Sequence, residues 1–179
     1  DIFKQHVPAA NSKASIRKRF YRAVCCKGEL YLNESVNSLC KQIYALSGEF
    51  DGAQAVLRIA AEEAMGCAEE VILSYDPRDT EKLDAVLIPD LSLAFVDSGW
   101  SADEEAEIFL DAVLPKEKIR QLRPQLREMR RLEDRIMGIA CGFLAQAKDL
   151  HDELEQVYKA AMDFDALNEF TEDYIKAHI

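Results

Sequence analysis

The chain has 179 residues, 49% of them hydrophobic and 31% charged, and its 22 basic and 33 acidic side chains leave a net charge of −11. That composition suits a single globular core, and the acidic balance argues against a general binder of nucleic acid or anionic membrane, because such a surface repels phosphate. With no run of 18 apolar residues and no charged-then-apolar leader, a cytoplasmic chain with neither membrane nor nucleic-acid partners is expected.

The start at Asp1, without a methionine, suggests a segment of a longer protein. Residues 1–14 carry Pro8 and small polar side chains and read as a linker. Ile16 to Cys26 is basic at its start and apolar at its end, and is expected to be one strand entering a sheet near Arg19. The basic residues Lys13, Arg17, Lys18, Arg19 and Arg22 are expected on a solvated edge, paired with acidic neighbours. Lys27-Gly28 turns the chain, and Glu29 to Leu39 reads as a loop or a short helix.

Gln42 to Ser47 is a short apolar strand ending at Gly48. Beyond the turn, Ala53, Val56, Leu57, Ala60, Ala61 and Ala64 recur at helical spacing, and Gly66 stops the helix. Glu70 to Tyr75 is the next strand, closed by Asp76-Pro77. Strand, helix and strand at this spacing predict a parallel βαβ pair. Ala85 to Ile88 and then Leu91 to Asp97 flank a proline corner, and Asp97 lies at the carboxyl end of a buried strand, where open α/β sheets bind ligands.

Ser101 and Glu104 form a capping box that predicts a helix reaching about Val113. From Leu122 to Phe164 apolar residues step by three or four, interrupted only at Gln146. One helix over Lys116 to Phe164 would be about 70 Å long, so it must fold back at Gly138 or Gly142, project, or pair with another chain. Residues 116–135 hold eight basic side chains against four acidic ones, whereas residues 149–173 hold nine acids against Lys159 alone. Antiparallel packing, within the chain or between two chains, would lay the basic half along the acidic half. Leu167, Phe170, Tyr174 and Ile175 give the last segment an apolar face after a joint at Met162-Asp163.

The five cysteines, Cys25, Cys26, Cys40, Cys67 and Cys141, have no C-x-x-C pair and no histidine at zinc spacing, and free buried thiols are expected. His151 lies among acids and reads as a surface or packing residue. No Ser-His-Asp, paired-histidine or paired-carboxylate site can be assembled from spacing.

The strand, turn and helix around Gly48 have the layout of a phosphate-binding loop without its chemistry. Laid over Gly48 to Ala55, the pattern G-x-x-x-x-G-K-[S/T] keeps Gly48 and places Ala53, Gln54 and Ala55 at the glycine, lysine and hydroxyl positions. Gly52 and Asp51 lie within the same turn. Gln54 offers no positive charge, Ala55 no oxygen for magnesium, and Asp51 adds an anion beside the expected triphosphate. Asp97 has the strand-plus-acid form of a magnesium-positioning aspartate.

These features resemble one half of a bacterial family of tandem P-loop ATPase-like proteins of unassigned function. The residues that carry the resemblance are Lys27-Gly28, Gln42 to Gly48, Asp76-Pro77, Leu83 to Pro89, Leu91 to Ser98, Ala147 to Glu155 and Ala160 to Phe164. The last two runs look most like the C-terminal half. The family's intact G-x-P-G-[S/T]-G-K-[S/T] loop is here Gly48-Glu-Phe-Asp-Gly-Ala-Gln-Ala55, and a stretch after Asp97-Ser98 is shortened to Gly99 to Ala102.

The resemblance implies an α/β, P-loop NTPase-like core with a small, mostly parallel sheet over residues 15–100. A long arm, either an antiparallel hairpin or coiled-coil-like, then follows over residues 101–179. The loop and strand patterns mark a degenerate nucleotide site at Gly48, Gly52, Ala53, Gln54, Ala55 and Asp97, of which the resemblance carries over only Gly48 and Asp97; no catalytic residue, no metal ligand and no obligatory cofactor are expected. The partner would be an intact P-loop half of the same or a related polypeptide, with a homodimer through the arm as an addition. Two other readings stay open: a helical interaction or dimerisation module on an α/β platform, and an ATPase that binds ATP and magnesium and is completed in trans.

Overall fold

The computed structural model describes residues 14–48, 50–97, 100, 106–113 and 115–178; residues 1–13 of the expected linker, Lys13 among them, and the Ser101–Glu104 capping box lie outside them, whereas Ala14, the linker's last residue, is buried in the core. The strands are β1 (Ser15–Arg19), β2 (Arg22–Cys25), β3 (Gly28–Tyr31), β4 (Gln42–Ser47), β5 (Glu70–Asp76), β6 (Asp79–Ile88), β7 (Leu93–Asp97) and β8 (Ala106–Phe109). The helices are α1 (Asn33–Leu39), α2 (Gly52–Cys67), α3 (Lys116–Lys159) and α4 (Phe164–His178). Six strands form one sheet in the order β1-β5-β6-β7-β4-β8, and β2 and β3 pair separately as a hairpin. Only β6 runs against the others, being antiparallel to both β5 and β7, so the sheet is mostly parallel.

Alternation along the strands builds a core on each face. Leu46, Val71, Leu73, Val86, Ile88 and Phe95 pack with Leu57, Ala60, Ala61 and Ala64 of α2. On the opposite face Ile43, Ala45, Ile72, Leu87, Ala94 and Val96 pack with Val36 and Cys40 of the α1 region and with Trp100. Small alanines on the inner stripe of α2 let that helix lie close to the sheet. A strand buried on both sides reads as a continuous apolar run, which is why β5 and β7 stand out in the sequence.

Several expectations change. Ile16 to Cys26 is not one strand: the chain leaves the main sheet after Arg19 and enters the hairpin at Arg22. β4 and β5 run in the same direction, but β6 and β7 lie between them, so the βαβ unit spans the sheet instead of forming an adjacent pair. β6 is ten residues long, beginning well before the apolar piece at Ala85. The predicted helix ending near Val113 is, over its described part, strand β8 followed by a 3-10 turn at Leu110–Val113. Pairing with β4 overrides the local helical pattern there.

The arm does not fold back at Gly138 or Gly142. α3 is a single helix of 44 residues, about 66 Å long, and contains Pro124, which removes one bond from its first turns. Ile119 is buried and Leu126, Met137, Cys141 and Ala145 are half-buried, a stripe that lies against the body. The other described side chains of α3 and all described side chains of α4 are exposed or nearly so. Asp163 caps α4 by accepting a hydrogen bond from the Ala166 N–H at 3.0 Å, placing the joint where the sequence suggests one. No helix among the described residues is long and apolar enough to cross a membrane.

Candidate functional site

The carboxyl ends of β4, β5 and β7, together with the start of β6, open onto one cavity of about 730 Å³, roofed by Leu126, Met129 and Glu133 of α3. Four of the six residues singled out from sequence, Gly48, Ala53, Gln54 and Asp97, line it. Gly52 begins α2 and Ala55 is exposed; neither lines the cavity. β4 and β7 are neighbours with Leu46 opposite Asp97, so the turn after β4 lies beside the acid that ends β7.

The two loop residues that mattered most in the sequence pattern have structural tasks. A Cβ on Gly48 would lie 3.1 Å from Asp111 Oδ1 and 3.4 Å from Leu110 Cβ, so the glycine admits the 3-10 turn that follows β8. Gln54 donates from Nε2 to the Leu83 carbonyl at 2.5 Å and accepts at Oε1 from the Leu83 N–H at 2.9 Å. By the β6–β7 register Leu83 lies beyond Asp97, the end of β7. The side-chain amide therefore satisfies both backbone groups of Leu83. Asp51 is exposed and forms an ion pair with Lys82 at 3.5 Å.

Beneath the cavity lies a charged cluster centred on Arg22, which is only 3% exposed. Arg22 reaches Asp76 at 2.7 Å and Asp84 at 3.0 Å. Its guanidinium also donates to the Tyr31 hydroxyl at 3.4 Å. Arg78 grips Asp76 through Nε and Nη2 and extends to Glu29 at 3.5 Å and to Glu133 of α3 at 3.2 Å. One network thus ties the hairpin, β5, β6 and the arm together. Asp76 also accepts the Arg78 backbone N–H at 2.8 Å, so it forms the expected turn as well as holding the cluster.

Asp84 owes its place to an irregularity. The β5–β6 register shifts between Ser74 and Tyr75, and Leu83, Val86 and Ile88 face α2 while Ala85 and Leu87 face the other side. The bulge gives Asp84 an extra place in the strand and turns its carboxylate toward Arg22. Burial raises the Asp84 carboxyl to about 6, with Asp76 and Asp97 adding to the effect and Arg22 opposing it. Burial also pushes Asp76 upward, but the hydrogen bonds and charges of Arg78 and Arg22 outweigh it and hold Asp76 below the usual carboxylate range. The two acids share Arg22 unequally because Asp76 has a second cation and Asp84 does not.

Arg22 departs from the expected solvated edge. Arg17 behaves as expected, pairing with Glu70, and Lys18 lies over the Tyr75 ring at 5.6 Å. Sequence reasoning missed the Arg22–Asp76–Asp84 cluster, although one signal was present: Asp84 interrupts the apolar run Leu83 to Ile88, and a charge in such a run needs a partner. Among the cysteines Cys40 alone is fully buried; burial pushes its thiol up to about 11, and it donates to the Leu93 carbonyl at 3.2 Å. His151, Asp152 and Glu155 cluster on the exposed arm, brought together by their spacing on one helix face, and the two acids pair with Lys148 and Lys159.

The fold and the cleft define an α/β protein with a polar cavity at the carboxyl edge of a mostly parallel six-stranded sheet and a long projecting helix. No protein-family model matches the chain, and no curated protein or solved structure matches it.

Proposed function

We propose that the chain is a catalytically silent P-loop NTPase-like domain that serves as the structural or regulatory half of a tandem ATPase-like protein. The layout favours that scaffold: a strand, a glycine-containing turn and a helix, beside a strand that ends in an acid. The observation that carries silence is the two-way bond between Gln54 and Leu83. The side chain at the lysine position is committed to the sheet and is neutral. A volume near 730 Å³ would admit a nucleotide, so charge decides. The cavity lining holds five carboxylates, Asp51, Asp76, Asp97, Glu133 and Asp134, against Arg22, Arg78, Lys82 and Arg130. The first three of those cations are already ion-paired.

Calorimetry with magnesium-ATP tests this reading, and the expected result is no saturable heat. Saturable binding of micromolar strength would overturn it and favour an ATPase completed in trans. The regulatory role is tested by adding the chain to an intact P-loop half: a changed ATPase rate supports it, and an unchanged rate removes it. A second reading, a helical interaction module on an α/β platform, is favoured by the solvent-exposed apolar residues of α3.

A further inference from the structure

We propose that α3 is a self-association element that pairs antiparallel with α3 of a second copy of this chain, in a register fixed by Arg135 and Asp149. The inference goes beyond the nucleotide-silent reading and stands whether or not that reading does. Its first support is an apolar seam that none of the described residues covers. Leu132, Ile136, Ile139, Phe143 and Leu150, beyond the part of α3 that roofs the cavity, are all more than half exposed, Phe143 at 66% and Leu150 at 67%. Their steps alternate three and four residues, with Gln146 at the one polar position, which is the seam of a left-handed coiled coil.

The seam is distinct from the face that docks on the body. Ile119, Leu126, Met137 and Cys141 mark the docking stripe, and at 100° per residue the seam lies roughly a third of a turn around the helix from it. A partner can therefore occupy the seam without displacing the arm from the cavity roof.

Charge identifies the partner and its direction. The first half of α3 is basic and its second half acidic, so a second copy running the opposite way presents the complementary sequence, whereas a parallel copy sets like charges side by side. In an antiparallel pair Ile139 of one copy meets Phe143 of the other, Leu132 meets Leu150, and Ile136 meets Gln146. Arg135 then flanks the seam next to Asp149 of the second copy, and symmetry makes the contact twice. Sliding by one heptad places Glu128 beside Asp149 instead, two acids in contact, and so disfavours that register. Arg135 and Asp149 are both exposed in the single chain.

The test is sedimentation of the 179-residue chain over a wide concentration range, with helix content followed by circular dichroism as a control for folding. A monomer–dimer equilibrium is expected, abolished by Ile139→Asp. Arg135→Glu and Asp149→Arg should each weaken association about tenfold, equivalent to about 1.4 kcal/mol. The double variant should recover it, and a mixture of the two single variants should form heterodimers in preference to either homodimer. A parallel pair would show no such rescue, because residues 135 and 149 would lie about 20 Å apart along the helices. A chain that stays monomeric, a dimer indifferent to Ile139→Asp, or charge variants that fail to complement each other would each overturn the proposal.

Discussion

The body and the arm handle charge in opposite ways. In the body a few charges are taken out of water and held in a single network around Arg22, whose side chain touches Asp76 and Asp84 below the cavity. In the arm most charges stand in solvent and, apart from Glu133, which reaches Arg78 of the body, the described ion pairs join neighbours on the same helix, as in Lys148–Asp152 and Lys159–Glu155. Similar ion-pair chemistry therefore carries different energetic weight. A buried pair broken on one side leaves an uncompensated charge in a poor solvent, whereas an exposed pair broken on one side leaves a hydrated one.

The strongest way to break this contrast is Arg22→Met. The aliphatic replacement keeps most of the volume and leaves Asp84 without its cation, and a loss of about 3–5 kcal/mol is expected in urea unfolding. Adding Asp84→Leu should recover most of that loss, because the orphaned charge is gone. If Arg22→Met alone costs no more than a surface substitution, the cluster is not the electrostatic centre of the body.

The next effect is a pH dependence. The Asp84 carboxyl rises from 3.8 to about 6 on folding, so its protonated form is the one that folding favours. The corresponding stability, about 3 kcal/mol, is fully present below the unfolded value of 3.8 and is lost as pH rises through 6. Asp76, held low by Arg78 and Arg22, has the opposite sign: its contribution is present above 3.8 and is lost as pH falls below it. Between pH 5 and 7.5 the Asp84 effect should dominate this pair, and stability attributable to it should fall as pH rises. Asp84→Asn should flatten that part of the profile and match or exceed the wild type near pH 7.5. Parallel profiles for the two proteins would show that Asp84 does not titrate as described.

A smaller effect belongs to Gln54. Gln54→Ala leaves the Leu83 N–H and carbonyl without their side-chain partner, and a cost of about 1–3 kcal/mol is expected. Faster hydrogen exchange at the Leu83 amide should accompany it. Gln54→Lys should lose the same bracket without gaining saturable ATP binding, since Ala55 still offers no hydroxyl for magnesium. An unchanged Leu83 exchange rate in Gln54→Ala would show that the amide is not what holds the end of β6.

The same contrast explains what could be read from the amino acids. β4, β5, β7 and α2 were legible because each satisfies its periodic pattern by itself. The apolar stripe of α3 was legible too, but whether the helix folded back depended on how the chain packs. β8 was lost because Ala106 to Phe109 is too short to carry a period, and only β4 gives it a strand partner. β6 was half-seen, since Asp79 to Asp84 lacks an apolar alternation and is organised by the bulge and by Gln54. Of the cavity, Gly48, Ala53, Gln54 and Asp97 were marked by a loop pattern and a strand end. Arg22, Asp76 and Asp84 meet across some sixty residues of chain, and no local spacing encodes that meeting.

The smallest expected effect is the most useful check on the arm. Lys159 and Glu155 pair at 2.8 Å, and the pair draws the Glu155 carboxyl down and the Lys159 ammonium up. Both side chains remain hydrated, so removal of either should leave the other solvated and cost nothing measurable in the monomeric chain. Lys159→Gln should therefore leave the thermal midpoint unchanged in dilute solution. A clear drop would mean that this end of α3 is covered by something in the folded chain, and α4, which begins five residues later, is the nearest element able to do so. An unchanged midpoint would instead establish that the arm and the body differ in kind. One is built around charges it cannot release, the other carries charges that water already satisfies and that a partner could recruit at little cost.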